Sequence, residues 1–189
     1  MTSATAAGAR ALPPAWVGML FFVAAETMLF GGLLFAFVLF RLWSPVWPPL
    51  GEPRLPLGVT AVNTLVLLAS AVTLGRARRH ARAGAGPRAR RALALTAALG
   101  WTFVAVQGSE WVGLAQWGVT AASGPYGGLV FALIGAHGVH VLGAVVWLLV
   151  DAVGGAAAAP PPARLGAGAL YWYFVCALWL AIFALVYLA

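Results

Sequence analysis

Five long apolar stretches alternate with short polar or proline-rich connections along this chain. A helix needs about 20 apolar residues to cross the hydrocarbon core of a bilayer. Five stretches have about that length, covering about residues 15–42, 57–75, 92–117, 127–150 and 169–188. None shows the alternation of apolar and polar residues that is typical of barrel strands. The pattern predicts an all-α integral membrane bundle of five transmembrane helices within one domain, residues 15–189, after a cytoplasmic tail, residues 1–14.

The connections between these stretches differ in composition. Residues 43–56 are rich in proline and are expected to form a stiff, non-helical loop. Residues 76–91 are expected to form a loop that carries seven arginines. Residues 119–126 are short and uncharged, and residues 151–168 are expected to form a linker of Ala, Pro and Gly.

The arginines predict the orientation of the chain in the membrane. Cytoplasmic loops carry an excess of basic residues, which places the arginine-rich connection, Arg10 and Arg164 inside, and Arg41 and Arg54 outside. The N-terminus is then cytoplasmic and the C-terminus faces out. The net charge of +7 therefore has an explanation that involves no nucleic acid. The arginines of the second connection are also candidates to bind lipid headgroups: Arg76, Arg78, Arg79, Arg82, Arg88, Arg90 and Arg91.

Composition agrees with a membrane location. Hydrophobic residues make up 63% of the chain and charged residues 8%, more apolar surface than a soluble domain of this length could bury. The first apolar stretch is longer than the hydrophobic region of a signal peptide, so we expect a retained helix. Cys176 is the single cysteine, which excludes a disulfide within the chain.

Ionisable residues inside membrane spans are rare and are therefore candidate sites. Glu26, His137 and His140 are expected near the midplane, whereas Glu110 lies in the outer third of its span. Gln107 shares a helix face with Glu110 at a spacing of three residues. These five residues form the predicted buried polar cluster.

The two histidines admit several interpretations. Two His and a carboxylate could bind a non-haem metal, although no fourth ligand is evident. Haem ligation would need a histidine from a second helix, and the third histidine of the chain, His80, lies among the arginines rather than within a span. Small residues precede and follow His140 at steps of four, which predicts a close helix–helix contact there. We expect both histidines to be interior and hydrogen-bonded, with Glu26 paired to one of them. A neutral carboxyl would satisfy both groups without a buried charge.

Motifs of self-contained catalysis are absent from the sequence. It contains no P-loop, nucleophile elbow, HExxH or CxxC. We therefore expect no catalytic residues, metal or cofactor in this chain. A small proton-coupled transporter that uses Glu26 and the histidines remains an alternative interpretation.

Six segments in order resemble the subunit III family of haem-copper terminal oxidases, in its five-helix bacterial form. They are AETMLFGGLLFAF, WPP, LPLGVTAVNTLVLLASAVT, GWTFVAVQGSEW, YGGLVFALIGAHGVHVLG and YWYFVCALWLAIFALVYL. The motif positions beyond the polar cluster are Asn63, Thr64, Gly138 and Trp172. At the start of the last helix the family usually has His and Asp where this chain has Tyr173 and Cys176.

The resemblance implies a non-catalytic membrane subunit of a cytochrome c oxidase that acts in aerobic electron transport. Such a subunit packs mainly on subunit I, also associates with subunit II and other respiratory subunits, supports proton uptake and binds phospholipid. Haem and copper are expected in the partner subunits, and the location is the bacterial cytoplasmic membrane. A subunit III-like partner of a quinol oxidase or a nitric-oxide reductase is the alternative within this resemblance.

Overall fold

Five helices make up almost all of the chain in the computed structural model, which describes residues 13–48, 55–154 and 160–188. They are α1 (Pro14–Trp43), α2 (Leu57–Arg82), α3 (Gly86–Gln116), α4 (Pro125–Val153) and α5 (Pro162–Ile182), and a π-helical segment, Phe183–Leu188, extends α5. All five are long and apolar enough to cross a membrane, and the described ranges contain no strand. The prediction of an all-α bundle with five spans is confirmed.

Proline marks the start of four of these helices. Pro14, Pro87, Pro125 and Pro162 each occupy one of the first two positions of α1, α3, α4 and α5. Proline fits there because the first N–H groups of a helix have no partner within the helix, and its fixed φ already suits the helical backbone. The chain therefore encodes its helix starts locally.

The arginine-rich connection is not the loop that we expected. Helix α2 continues to Arg82 and α3 begins at Gly86, so only residues 83–85 form a turn. Gly84 has φ +70° in this turn, a conformation that favours glycine. The prediction of a loop over residues 76–91 was wrong because hydropathy falls where a helix leaves the membrane, whereas alanine and arginine favour continued helix in water.

The predicted linker between the last two spans is also largely helical. Helix α4 ends at Val153 and α5 begins at Pro162, which places Asp151 and Arg164 within helices. Residues 155–159 lie outside the described part of the chain. So do residues 1–12, 49–54 and 189, with Arg10 and Arg54 among them, and the orientation of the termini stays a prediction.

Helix α5 lies at the centre of the bundle. It packs against α1, α2 and α4, while α2 and α3 form a closely packed helical hairpin. Large aromatic side chains fill the core, and the fully buried ones are Phe30, Phe37, Phe103, Trp172 and Trp179. Helix α1 is the most peripheral element, and only Met19, Phe30 and Phe37 of its thirty residues are buried. Its outward face is therefore available to lipid or to a partner.

Candidate functional site

Glu26 of α1 and His140 of α4 form a contact inside the membrane-spanning part of the bundle. Oε2 of Glu26 lies 2.8 Å from Nε2 of His140, and the side chains are only 12% and 19% exposed. The Phe30 ring lies edge-on to the imidazole, with 5.2 Å between the ring centroids. The pair therefore links two helices at a position that is largely shielded from the surroundings.

The second nitrogen of His140 fixes the orientation of its ring. Nδ1 is 2.6 Å from the carbonyl oxygen of Ala136. A carbonyl oxygen only accepts hydrogen bonds, so Nδ1 must carry a proton. The opposite nitrogen, Nε2, is thereby aimed at Oε2 of Glu26, which makes no aligned hydrogen bond among the described residues. The pair is therefore a close contact between two ionisable groups.

His137 has a different environment from His140. Its side chain is 1% exposed, and its ring stacks on Trp179 with 5.2 Å between centroids. Phe30 and Phe103 lie edge-on at 6.5 and 6.3 Å. Neither ring nitrogen has a hydrogen-bond partner among the described residues, contrary to our expectation for this histidine. The physical reason is that aromatic rings from three other helices surround it and offer π contacts instead of polar atoms.

Gln107 and Glu110 belong to a second polar group, on α3. Nε2 of Gln107 donates to Oε2 of Glu110 at 2.9 Å and to the Tyr187 hydroxyl at 3.1 Å. The Thr60 hydroxyl lies 2.9 and 3.0 Å from the two carboxyl oxygens of Glu110. The group thus joins α2, α3 and the π-helical segment. A π-helical turn shifts the register of the side chains along it, and Tyr187, which contacts Gln107, lies in such a turn.

The five residues of the predicted cluster therefore occupy three separate places. The structure brings Glu26 to His140 and Gln107 to Glu110, and it encloses His137 in aromatic rings. Sequence reasoning missed Thr60 and Tyr187. The spacing of Thr60, Asn63 and Thr64 on one helix face was the available signal for Thr60, and nothing in the sequence pointed to Tyr187.

Polar side chains along α2 hold this helix to its neighbours. Nδ2 of Asn63 donates to the carbonyl oxygen of Phe103 at 3.0 Å. The Thr64 hydroxyl accepts a hydrogen bond from Nε1 of Trp179 at 2.9 Å. Between helices in lipid, such bonds replace the hydrophobic driving force that water provides elsewhere. Asn63 and Thr64, which we singled out as motif positions, thus contact α3 and α5.

Trp172 and Gly138 are the remaining motif positions. Nε1 of Trp172 donates to the Ser70 hydroxyl at 3.1 Å, and the buried indole covers Gly100 of α3. A Cβ atom on Gly100 would lie 2.5 Å from that indole, so only glycine permits this approach. Gly138, in contrast, faces open space, where a Cβ atom would meet nothing within 4 Å.

An ion pair at the arginine-rich end joins α4 and α5. Oδ1 of Asp151 lies 2.5 Å from Nε of Arg164, and its other oxygen accepts a hydrogen bond from Nε1 of Trp147 at 3.1 Å. Asp151 was not among the predicted site residues, because it was assigned to a linker. Helical spacing of four residues between Trp147 and Asp151 was the signal that could have indicated this contact.

The seven arginines of α2 and α3 divide into three groups. Arg90 donates to the carbonyl oxygens of Ala152 and Val153 at 2.8 and 3.2 Å, and so caps the end of α4. Arg78 is partly buried at the mouth of a cavity. The other five are exposed: Arg76, Arg79, Arg82, Arg88 and Arg91. Arg90 therefore has a structural role within the chain.

Metal ligation finds no support in these positions. Across residues 13–48, 55–154 and 160–188, no group of three His, Cys, Asp or Glu side chains could hold a metal ion. The single carboxylate near His140 has that ring as its partner, and aromatic rings surround His137. These features define a multi-pass helical membrane protein whose buried polar groups connect its helices.

Comparison with known proteins identifies the family within this class. The family model described as cytochrome c oxidase subunit III matches residues 13–189. The cytochrome c oxidase subunit 3 of Synechocystis is 30% identical over 175 residues, covering 90% of this chain and 74% of the relative. The proteins of the same name from Formosania lacustris and Papio hamadryas are 35% and 34% identical over 180 residues, covering 90% of this chain and 67% of each relative. The chain belongs to the cytochrome c oxidase subunit III family and is a subunit of a haem-copper oxidase.

Proposed function

We propose that this chain is a non-catalytic subunit that packs on subunit I of a respiratory oxidase, stabilises the complex, supports proton uptake and binds phospholipid. Haem and copper would reside in subunits I and II. The proposed location is the bacterial cytoplasmic membrane, with the N-terminus inside and the C-terminus outside. The Glu26–His140 contact carries this proposal, because it places two ionisable side chains together within the membrane-spanning part of the bundle.

The outward face of α1 supports packing on another subunit. Small residues repeat every seven positions at Gly18, Ala25 and Gly32, and all three are exposed. Three positions after each of them, Phe21, Met28 and Phe35 are 64–81% exposed. A heptad of small and large side chains lets a second helix approach closely and interlock. Because α1 is also the least buried helix, we propose this face as the contact with subunit I.

A role in proton uptake draws on the chemistry of the same helix. Glu26 lies on α1, and its carboxyl is 2.8 Å from the His140 imidazole, so two groups that can each bind a proton are in contact. Such a pair can accept or release a proton without leaving an isolated charge in lipid. The proposed role is to supply protons to the neighbouring subunit rather than to conduct them across this chain.

Purification through a tag on this chain tests the proposal. Solubilised membranes are passed over the affinity resin, and the eluate is examined by difference spectroscopy and metal analysis. We expect haem and copper to elute in a fixed ratio to this chain. Recovery of the chain free of haem proteins, under conditions in which the oxidase stays intact, would refute the proposal. Haem without the copper of a cytochrome c-accepting subunit II would instead identify a quinol oxidase or nitric-oxide reductase as the partner.

A further inference from the structure

A cavity of about 230 Å³ lies between α3 and α4. Most of its wall is apolar, and it includes Phe103 and Val104 of α3 and Ile134 and Leu142 of α4. Sites for drug-sized molecules usually measure about 300–1,000 Å³. This cavity is smaller, so it suits a compound of about one ring rather than a phospholipid.

Missing side chains create the space. Gly108 and Gly138 both line the cavity, and a Cβ atom on either would meet nothing within 4 Å. At Gly135, which also lines it, a Cβ atom would lie 2.6 Å from the Trp111 indole, and that indole stacks on Phe131 with 5.1 Å between centroids. The first two glycines therefore leave the cavity open, and the third lets the indole approach α4. The motif position Gly138 thus helps to form this cavity.

Three side chains of the wall have buried polar atoms without a hydrogen-bond partner in the part of the chain that the structure describes. These atoms are Oε1 of Gln107, Nε1 of Trp111 and both ring nitrogens of His137. Gln107 and His137 are only 7% and 1% exposed. A buried polar group without a partner costs free energy. A ligand that supplies the missing partners would therefore be favoured.

The donors and acceptors of the wall define the chemistry of that ligand. Nε1 of Trp111 can only donate. Oε1 of Gln107 can only accept, and the amide is held in this orientation because its Nε2 donates to Glu110 and Tyr187. Gln107 and Trp111 are four residues apart and so lie on one face of α3. A hydroxyl group can serve both, whereas a hydrocarbon serves neither and a carbonyl or ether oxygen leaves Oε1 of Gln107 unpaired.

The cavity opens on the surface of α3 and α4. Gly108 and Val139 belong to its wall and are exposed, and Val139 is the middle residue of the 29-residue α4. Both helices are long and apolar enough to cross a membrane, so the opening lies within the bilayer and a ligand enters from there. Water also donates and accepts, but water molecules in most of this apolar volume would lack partners.

We infer that this cavity is a binding site for a membrane-soluble phenol or ring alcohol. Its hydroxyl group donates to Oε1 of Gln107 and accepts from Nε1 of Trp111, with His137 as the polar group of the opposite wall, and its ring fills the space beside Gly108 and Gly138. This inference goes beyond the proposed function and does not depend on it, because every residue of the site belongs to this chain. Recovery of the chain without haem proteins would affect the proposed function alone.

Photolabelling tests the inference on the protein as it purifies through a tag on this chain, in nanodiscs of phosphatidylcholine. The probe is a phenol that carries a photoreactive diazirine, and mass spectrometry of peptides locates the residues that it labels. Thymol competes with the probe. The matched competitor is p-cymene, which is thymol without its hydroxyl group. The two competitors are compared at equal concentration in the bilayer.

Two substitutions fill the cavity, and a third is their control. Gly138→Leu and Gly108→Leu each place a side chain in the open space, from α4 and from α3. Gly143→Leu adds the same side chain to α4 outside the cavity, where a Cβ atom also meets nothing within 4 Å. Trp111→Phe removes the N–H donor and keeps an aromatic ring. Helix content by circular dichroism establishes that each variant is folded.

We expect labels on residues of the cavity wall, and about tenfold or greater loss of labelling in each variant that fills the cavity. The Gly143→Leu control should be labelled like the unsubstituted chain. Thymol should compete roughly threefold to tenfold better than p-cymene, since one hydrogen bond contributes about that factor. Trp111→Phe should reduce this difference.

Three results would overturn the inference. The first is equal competition by thymol and p-cymene, which would indicate apolar partitioning alone. The second is labelling that persists in both filled variants or falls equally in the control. The third is a preference for thymol that is undiminished in Trp111→Phe, because the indole N–H would then not contact the hydroxyl group.

Discussion

His140 uses both ring nitrogens, Nδ1 towards the Ala136 carbonyl oxygen at 2.6 Å and Nε2 towards Glu26 at 2.8 Å. The first contact lies within α4 and sets the orientation of the ring. The second joins α4 to α1. The local contact places a proton on Nδ1 and so holds the ring with Nε2 aimed at α1. The orientation of one imidazole thus depends on its own helix, whereas its carboxyl partner comes from another.

Substitutions of Glu26 should separate the effect of its polarity from that of its charge. Glu26→Gln retains an N–H donor for Nε2 of His140 and should leave assembly of the complex intact. Glu26→Leu leaves that buried nitrogen without a partner and should lower the free energy of unfolding by about 1–3 kcal/mol. Thermal unfolding of the purified complex, with the yield of co-purified haem, measures both effects.

A control for Glu26 lies next to it on α1. Among the described residues, the Thr27 hydroxyl bonds only to the Val23 carbonyl oxygen of its own helix, so Thr27→Val should change stability little. If the Gln and Leu variants of Glu26 both assemble and pump protons like the unsubstituted complex, the pair has neither a structural role nor a role in proton uptake.

Gly100→Ala should destabilise the bundle. A Cβ atom there would lie 2.5 Å from the Trp172 indole and 2.7 Å from Val145, both buried, so the helices must move apart. Overpacking of this kind costs about 1–3 kcal/mol. Gly108→Ala on the same helix is the matched control, since its Cβ atom would meet nothing within 4 Å. Denaturation in mild detergent should show that Gly108→Ala is at least as stable as the unsubstituted chain and that Gly100→Ala is less stable. A Gly100→Ala variant more stable than Gly108→Ala would contradict this packing.

The hydrogen bond from Trp179 to Thr64 should appear as an energetic coupling between α5 and α2. Thr64→Val removes the acceptor and Trp179→Phe the donor, and a double-mutant cycle isolates their interaction. We expect a coupling of about 0.5–1.5 kcal/mol, as for other interhelical hydrogen bonds in membranes. Pairing Trp179→Phe with Ser70→Ala, whose hydroxyl contacts Trp172 instead, provides the reference cycle. A coupling no larger than in the reference cycle would exclude this contact.

Removal of Arg164 should destabilise the chain more than removal of Asp151, its partner in the ion pair. Arg164→Gln leaves the carboxylate of Asp151, 2% exposed, without its cation, whereas Asp151→Asn leaves a cation that is 49% exposed and can turn to solvent. An uncompensated buried charge is the costlier outcome. We therefore expect Arg164→Gln to destabilise the chain more, by about 1–2 kcal/mol after discounting for exposure of the arginine. Equal melting temperatures for the two variants would contradict this ranking.

The sequence by itself determined the number of helices and the residues that could not face lipid. Five apolar stretches suffice for five spans, because length and hydropathy alone decide whether a segment crosses a bilayer. Glu26, Gln107, Glu110, His137 and His140 were all recognisable as candidates for the interior of the bundle, because exposure of such groups to hydrocarbon is costly. The interval of three residues between Gln107 and Glu110 also indicated their contact, because the geometry of a single helix brings residues at this spacing together.

The tertiary structure decided which of these residues meet and where the helices end. Glu26 and His140 are 114 positions apart. The two histidines lie on the same helix, yet the His140 ring contacts a carboxyl and the His137 ring stacks on Trp179. Hydropathy could not place the ends of α2 and α5, because these helices continue past the apolar core through arginine and alanine. Contacts between distant segments depend on how helices are rotated against each other, and that rotation is set by the packing of the whole bundle rather than by any single span.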